Sequence, residues 1–149
     1  MQVNIREAVE EDLTYILELY KQPDMDDGRV LPLDHARDIF NRIKSYPNYN
    51  VYVAESNGET VGTFALMIMD NLAHMGTPSA LVEDVVVKEN LQGIGIGKQM
   101  MMFVMDHCKR IGCYKVALSS NLKRENAHRF YESLGFKKHG YSYLLEFEE

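Results

Sequence analysis

A glycine-rich segment between an apolar run and a helical pattern is the feature that most constrains how this chain folds. Glycines stand at positions 93, 95 and 97, after the apolar run Ala80–Val87 and before the amphipathic stretch Lys98–Ile111. This order predicts a strand, a tight turn and a helix. The first N–H groups of a helix have no intrahelical partner, and the helix dipole adds a partial positive charge there. The segment is therefore predicted to bind an anion through its main chain.

The spacing of these glycines does not fit the two common nucleotide-binding motifs. A Walker A loop needs a glycine five positions before Gly97 and a Ser or Thr after Lys98, where the chain has Gln92 and Gln99. The dinucleotide fingerprint G-x-G-x-x-G fails as well, because its third glycine would fall on Lys98 or Met100. The anion is therefore expected to belong to another class of ligand.

Hydrophobic periodicity predicts the remaining elements, in the order β-α-α-β-β-β-α-β-α-β. The predicted strands cover Gln2–Glu7, Val51–Ala54, Val61–Met69, Ala80–Val87 and Tyr114–Leu118, with a last strand or strand pair over Phe136–Phe147. The predicted helices cover Leu13–Tyr20, Asp34–Lys44, Lys98–Ile111 and Lys123–Leu134. No linker or internal repeat interrupts this order, so we predict a single domain over residues 1–149 with a mixed α/β sandwich fold.

Composition narrows the classes of partner. The 149 residues include 16 Lys and Arg against 22 Asp and Glu, a net charge of -6, which argues against nucleic acid or an anionic membrane as the main partner. No apolar run approaches the roughly 18–20 residues of a membrane span, and no signal peptide is visible. Two cysteines cannot form a disulfide framework. We expect a reduced, cytoplasmic protein.

Three motifs in the second half of the chain resemble one family. Gln92–Gly97 follows the pattern Q-x-x-G-x-G, and the apolar strand Val82–Val87 precedes it. Further on, the segment Asn126–Phe136 contains a Phe-Tyr pair followed by Gly-Phe. In these elements the sequence resembles the GNAT superfamily of acyl-CoA N-acyltransferases. The resemblance implies a mixed, mostly antiparallel central sheet of six to seven strands flanked by about four helices.

The resemblance also implies where acetyl-CoA binds. The strand before the glycine turn would splay from its neighbour and bind the pantetheine arm, the turn would wrap the pyrophosphate, and Tyr131 would lie near the sulfur as general acid. A phenol titrates near 10 and a thiol near 8.5, so a tyrosine can protonate a departing thiolate. The candidate cofactor-binding residues are Val85, Val86, Val87, Gln92, Gly93, Ile94, Gly95, Ile96, Gly97, Lys98, Asn121, Asn126 and Tyr131.

Glu83 is the candidate general base, acting through a water molecule. A carboxylate on an otherwise apolar strand is partly desolvated, which raises its pKa toward a useful value. Alternation along the strand leaves open whether Glu83 or Asp84 faces the cavity, and the resemblance favours Glu83. The alternatives are that both acids pair with a nearby Lys or Arg, and that Tyr131 is a core tyrosine.

The distribution of charged residues suggests how the amine that accepts the acetyl group is bound. Acids at 24, 26 and 27 lie in the loop between the first two helices, where they would attract a cationic amine or form an ordinary solvated loop. Lys123, Arg124 and Arg129 form a basic cluster suited to the cofactor's 3′-phosphate or to an anionic group on the acceptor. The candidate substrate residues are Asp26, Asp27, Glu83, Ser119 and Arg129.

Two groups within the family give the most specific resemblance. Leu118–Tyr131 resembles aminoalkylphosphonate N-acetyltransferases, while Val82–Val87 with Gly112–Val116 resembles glucosamine-6-phosphate N-acetyltransferases. Both act on small amines that carry a phosphorus oxyanion. We therefore expect direct acetyl transfer from acetyl-CoA to a small primary amine, with no metal.

A covalent enzyme intermediate is not expected, because Cys108 lies within a predicted helix and Cys113 opens a strand. The alternatives are acetylation of a protein or peptide and a non-catalytic acyl-CoA-binding module. The resemblance further implies a homodimer that pairs through its C-terminal strands.

Overall fold

The structure is a computed structural model that describes residues 1–23, 25–26 and 28–148. Its strands are β1 (Asn4–Glu7), β2 (Tyr49–Ser56), β3 (Glu59–Met69), β4 (Ser79–Val87) and β5 (Val116–Ala117). Its α-helices are α1 (Leu13–Tyr20), α2 (Leu33–Ser45), α3 (Ile96–Ile111) and α4 (Glu125–Ser133). The predicted α/β class is confirmed, as are four helices. The chain divides into two compact units, Met1–Ala117 and Leu118–Glu149, and the single domain stays a prediction.

All five strands belong to the first unit and form one sheet in the order β1-β2-β3-β4-β5. The first four strands run antiparallel to their neighbours, and β5 runs parallel to β4. Asn57 and Gly58 join β2 to β3 with φ angles of 51° and 76°, the left-handed conformation that a two-residue hairpin favours. The sheet is therefore mixed and mostly antiparallel, as predicted.

Helices cover both faces of this sheet. Val53 is fully buried in a cluster that includes Ile16 of α1 and Phe40 of α2. Its neighbour Tyr52 points to the opposite face, because side chains alternate along a strand. There the Tyr52 ring lies 5.2 Å from the ring of Phe103 in α3. The sheet is thus packed between α1 and α2 on one side and α3 on the other.

The described residues contain five strands rather than the six to seven expected, and the predicted strand over Phe136–Phe147 is wrong. Large apolar side chains fall at every second position over 141–147, but a strand needs a hydrogen-bonded neighbour as well as a pattern. Here the large apolar side chains are 78–91% exposed: Tyr141, Tyr143, Leu144, Leu145 and Phe147. The strand β5 is also shorter than predicted, with two residues.

An ion network fixes the start of α1 against the sheet. Both Nη atoms of Arg6 donate to the Asp12 carboxylate, at 2.7 and 2.8 Å, and Arg6 Nε donates to Glu55 at 2.9 Å. The same carboxylate accepts the N–H of Val9 at 2.7 Å. These hydrogen bonds from Arg6, opposed by burial, lower the pKa of Asp12. Among the residues the structure describes, no helix combines the length and apolar character of a membrane span.

Candidate active site

The outer edge of β4 is open along most of its length. β5 pairs with β4 only at Ala80 and Leu81, so beyond this point β4 has no strand partner on that side within the described ranges. Past the end of β4, Lys88 donates its N–H to Val61 at 2.8 Å, toward β3. Because backbone groups alternate along a strand, those of Val87 and Val85 point to the open edge. Within the first unit, the second half of β4 therefore has the unpaired outer edge that a splayed strand would have, and the splay itself stays a prediction.

A β-bulge interrupts β4 at Asp84. Ala65 is paired with Glu83 and Thr63 with Val86, so two residues of β4, Asp84 and Val85, stand opposite one residue of β3. Asp84 has φ +54°, the left-handed region that aspartate enters more readily than most residues. The extra residue changes which backbone groups point outward on the second half of the strand. Without the bulge, the backbone groups of Val85 and Val87 would point toward β3.

The bulge brings two carboxylates to one face of the sheet. Glu83 is in register with Ala65, on the face covered by α1 and α2. Burial first, and the charge of Asp84 second, raise the pKa of Tyr20, which packs against the α1 and α2 core, and of Tyr49. Asp84 therefore lies near both phenols, and Glu83 lies near Tyr49. Tyr20 and Tyr49 carry no motif in the sequence, and only the pairing of distant strands reveals their place.

The pKa values of Glu83 and Asp84 are both raised above those of ordinary carboxylic acids. Partial desolvation first, and the neighbouring Asp84 second, raise the pKa of Glu83. Desolvation and then the charge of Asp26 raise the pKa of Asp84. Both side chains remain accessible to solvent, and hence to an acceptor. Of the predicted loop acids, Asp26 is brought to this cluster, while Asp24 and Asp27 lie outside the described residues.

The glycine turn has the backbone conformation that the predicted anion site requires, and anion binding there stays a prediction. Gly93 and Gly95 have φ angles of 80° and 96°, which a residue with a side chain rarely adopts. α3 begins at Ile96, two residues before the predicted start, and its first intrahelical bond joins the Gln99 N–H to the Gly95 carbonyl at 3.1 Å. The N–H groups of 96–98 precede that bond, so they have no intrahelical partner and remain free for a ligand.

Two glutamine side chains meet at the end of β4. The Val87 carbonyl accepts Nε2 of Gln92 at 3.2 Å and Nε2 of Gln22 at 3.1 Å. Gln22 Oε1 accepts the N–H of Glu89 at 2.9 Å. Gln92 was predicted as a cofactor residue, whereas Gln22 was missed, because one polar residue after a helix carries no sequence signal.

In the second unit, Tyr131 packs between two aromatic neighbours. Its ring centroid lies 5.1 Å from that of Phe130 and 5.8 Å from that of Phe136. Burial raises the pKa of Tyr131, and Arg124 partly opposes this shift. The phenol therefore carries its proton at neutral pH, the state that a general acid requires.

The polar candidates of the second unit form local contacts around the start of α4. Asn121 Oδ1 accepts a hydrogen bond from the N–H of Lys123 at 2.9 Å, and Asn126 Oδ1 accepts one from the guanidinium of Arg129. The Ser119 side chain is exposed. The roles given to these residues, as to all the site residues, stay predictions.

Comparison with known proteins identifies the family. The Acetyltransferase (GNAT) family matches this chain over residues 8–136. The chain therefore belongs to the acetyltransferase (GNAT) family, which confirms the resemblance seen in the glycine turn and in the Phe-Tyr segment.

Named relatives and a solved structure support the same assignment. Glucosamine 6-phosphate N-acetyltransferase of Trypanosoma brucei brucei is 37% identical over 89 residues, 60% of this chain and 58% of the relative. Aminoalkylphosphonate N-acetyltransferase of Salmonella typhimurium is 33% identical over 92 residues, 62% of this chain and 59% of the relative. The aligned region thus spans about three-fifths of each of these curated relatives. A crystal structure described as a transcriptional regulator from Bacillus halodurans C-125 has a TM-score of 0.90 and 30% identity, covering 98% of this chain and 100% of that chain.

Proposed function

We propose that this protein is an acetyl-CoA-dependent N-acetyltransferase that transfers the acetyl group directly to a small primary amine. The observation that carries the proposal is the open edge of β4, which ends in a glycine turn with free N–H groups. An extended arm can hydrogen-bond along such an edge while the turn receives the pyrophosphate. Family membership supports acetyl-CoA as the donor.

The carboxylates on β4 supply the base. An amine attacks a thioester only when it is neutral, so its proton must first be removed. Glu83, with its raised pKa and accessible side chain, accepts this proton through a water. A backbone N–H on the open edge, at Val85 or Val87, would donate to the thioester oxygen as negative charge develops there.

The remaining proton goes to the leaving group. The nitrogen–carbon bond forms, the carbon–sulfur bond breaks, and the thiolate of CoA needs a proton. We assign this role to Tyr131 from its place in the Phe-Tyr motif and from its protonated phenol. The step requires no metal and no cysteine nucleophile.

We propose an acceptor that carries a phosphate or phosphonate. The two named relatives act, by their names, on an amino sugar phosphate and on aminoalkylphosphonates. In this chain the candidates for the amine are Glu83 and Asp26, and the candidates for the oxyanion are Ser119 and Arg129.

Assembly and location are proposed on separate grounds. The exposed apolar side chains of 141–147 suit a contact with a second copy, which supports a homodimer. The free thiols of Cys108 and Cys113 suit a reducing cytoplasm. Sedimentation analysis of the full chain tests the proposed homodimer, and a monomer at micromolar concentration would contradict it.

Calorimetric titration with CoA, followed by an amine screen, tests the function. The screen would pair glucosamine 6-phosphate with glucosamine and 2-aminoethylphosphonate with ethylamine, and would include peptides with free N-termini or lysines. Loss of thioester absorbance and the product mass report turnover. We expect CoA binding and a preference for the phosphorus-bearing member of each pair. Turnover of peptides alone would indicate protein acetylation, and binding without turnover would indicate a non-catalytic module.

A further inference from the structure

One side chain outside the predicted site links α1 to the segment that leads into the glycine turn. The Gln22 carboxamide bonds to Val87 and to Glu89, which are 65 and 67 positions away in sequence. Its Nε2 donates to the Val87 carbonyl and its Oε1 accepts the Glu89 N–H. A carboxamide carries its donor and its acceptor on two separate atoms, so it can bridge a carbonyl and an N–H two residues apart.

Besides Gln22, the segment is held by the Lys88 N–H, which donates to the Val61 carbonyl, and by Gln92 Nε2, which donates to the Val87 carbonyl. After β4 comes one 3₁₀ turn, Glu89–Leu91, closed by a bond from the Leu91 N–H to the Lys88 carbonyl at 2.9 Å. The glycine turn follows, with two residues in the left-handed conformation. Glycine-rich backbone loses much conformational entropy when it is ordered, so any contact that orders it in advance strengthens ligand binding.

We propose that Gln22 is a positioning residue for the pyrophosphate turn. By fixing Val87 and Glu89 relative to each other, its carboxamide sets the path on which the chain enters Gln92–Lys98. This inference rests on the proposed function, because it assumes that the turn binds the pyrophosphate of CoA. Gln22 itself does not touch the ligand.

Binding measurements on Gln22→Ala test this role. The probes are CoA and adenosine 3′-phosphate 5′-diphosphate, which has the pyrophosphate but lacks the pantetheine arm. Loss of both hydrogen bonds should weaken binding by roughly tenfold or more, equally for both probes, because both place a pyrophosphate in the turn. Gln22→Glu retains an acceptor for the Glu89 N–H and lacks the donor to Val87, so it should also bind both probes more weakly.

Asn71→Ala is the matched control. The Asn71 carboxamide also donates to a backbone carbonyl, that of Thr77 at 2.6 Å, but in the loop between β3 and β4. Its loss should lower thermal stability, by less than Gln22→Ala because one hydrogen bond is lost rather than two, and leave both affinities within about twofold, since the effect of a hydrogen bond is local.

The possible outcomes separate the two proposals. If the parent protein binds neither probe, the proposed function fails before the role of Gln22 is reached. If the parent binds both and Gln22→Ala binds them equally well, the positioning role is wrong. It is also wrong if only CoA binding weakens, or if Asn71→Ala loses as much affinity. Should Gln22→Ala fail to fold, Gln22→Glu answers the same question, and unchanged affinity in that variant would overturn the role.

Discussion

Two clusters of carboxylates in the first unit differ in what lies beside them. Asp12 and Glu55 share the guanidinium of Arg6, which is held by direct hydrogen bonds. Glu83 and Asp84 instead lie next to each other, with a further acid, Asp26, close enough to act on Asp84. The first cluster joins β1, β2 and the start of α1, while the second lies at the bulge of β4.

The presence of a cation decides what each cluster does. The pKa of Asp12 is lowered by Arg6, so its ionised form stabilises the fold. The pKa of Glu83 is raised, which means that the folded protein disfavours its charge. A group of that kind contributes nothing to stability by its charge but is better suited to accept a proton. Similar acids thus serve stability in one place and, in our proposal, chemistry in the other.

The largest expected effect is on turnover in Glu83→Gln. Removing a general base costs about 10²–10⁴-fold in rate, so we expect kcat to fall by at least about 100-fold. Stability should be unchanged or slightly higher, because the variant removes repulsion with Asp84. Steady-state kinetics and urea unfolding measure the two quantities. The control, Glu18→Gln, changes an exposed acid on α1 that pairs with Lys21, and should keep full activity.

For Asp12→Ala we expect a loss of stability rather than a loss of turnover. Removing the Asp12 carboxylate leaves the half-buried Arg6 without its bidentate partner and removes the acceptor of the Val9 N–H. We expect this to lower the free energy of unfolding by about 2 kcal/mol. Urea unfolding measures this loss. Asp34→Ala, which breaks an exposed pair with Arg37, should cost less than about 0.5 kcal/mol. Equal losses in the two variants would contradict the comparison.

The stability difference between the parent and Asp12→Asn should depend on pH. Because the pKa of Asp12 is lowered in the folded state, its contribution is complete above the unfolded value of about 4 and disappears as the pH falls through the folded value. The parent should therefore be the more stable protein at pH 7, and the two should converge in acid. Unfolding curves between pH 7 and pH 2 check this, and a constant difference would count against the ion pair.

The smallest effect is expected for Asp84→Asn. This change removes the negative charge beside Glu83, so the pKa of Glu83 should fall. The acid limb of the kcat/KM profile should then move to lower pH, while the rate at the optimum changes by less than about threefold, because the base is retained. Asparagine also accepts the left-handed conformation at this position. An unmoved acid limb would mean that Glu83 is not the titrating base.

The features predicted correctly are those encoded by neighbouring residues. The glycines at 93 and 95 require positive φ, and the apolar spacing of α3 follows at once, so the turn and helix needed no distant information. The Asn57-Gly58 turn is encoded locally in the same way, because asparagine and glycine both accept positive φ angles. The Phe-Tyr segment and the glycine turn together were enough to indicate the family, which the comparison with known proteins confirms.

The features that were missed depend on residues far apart in the chain. The segment Phe136–Phe147 has an apolar pattern, but no strand forms there, because pairing requires a neighbour that the pattern does not specify. The bulge at Asp84 becomes visible only when β4 is set against β3. Gln22 gains its role from Val87 and Glu89, more than 60 positions away.

The sequence by itself determined that this chain has a glycine turn before a helix, a mixed α/β fold and a family, since turn chemistry and hydrophobic period are local properties. Only the tertiary structure decided that Glu83 and Asp84 share a face with Tyr20 and Tyr49, and that the backbone of Val85 and Val87 points to an open edge. The physical reason is the register between strands. One extra residue at a bulge changes which groups point outward, and that shift is set by the partner strand.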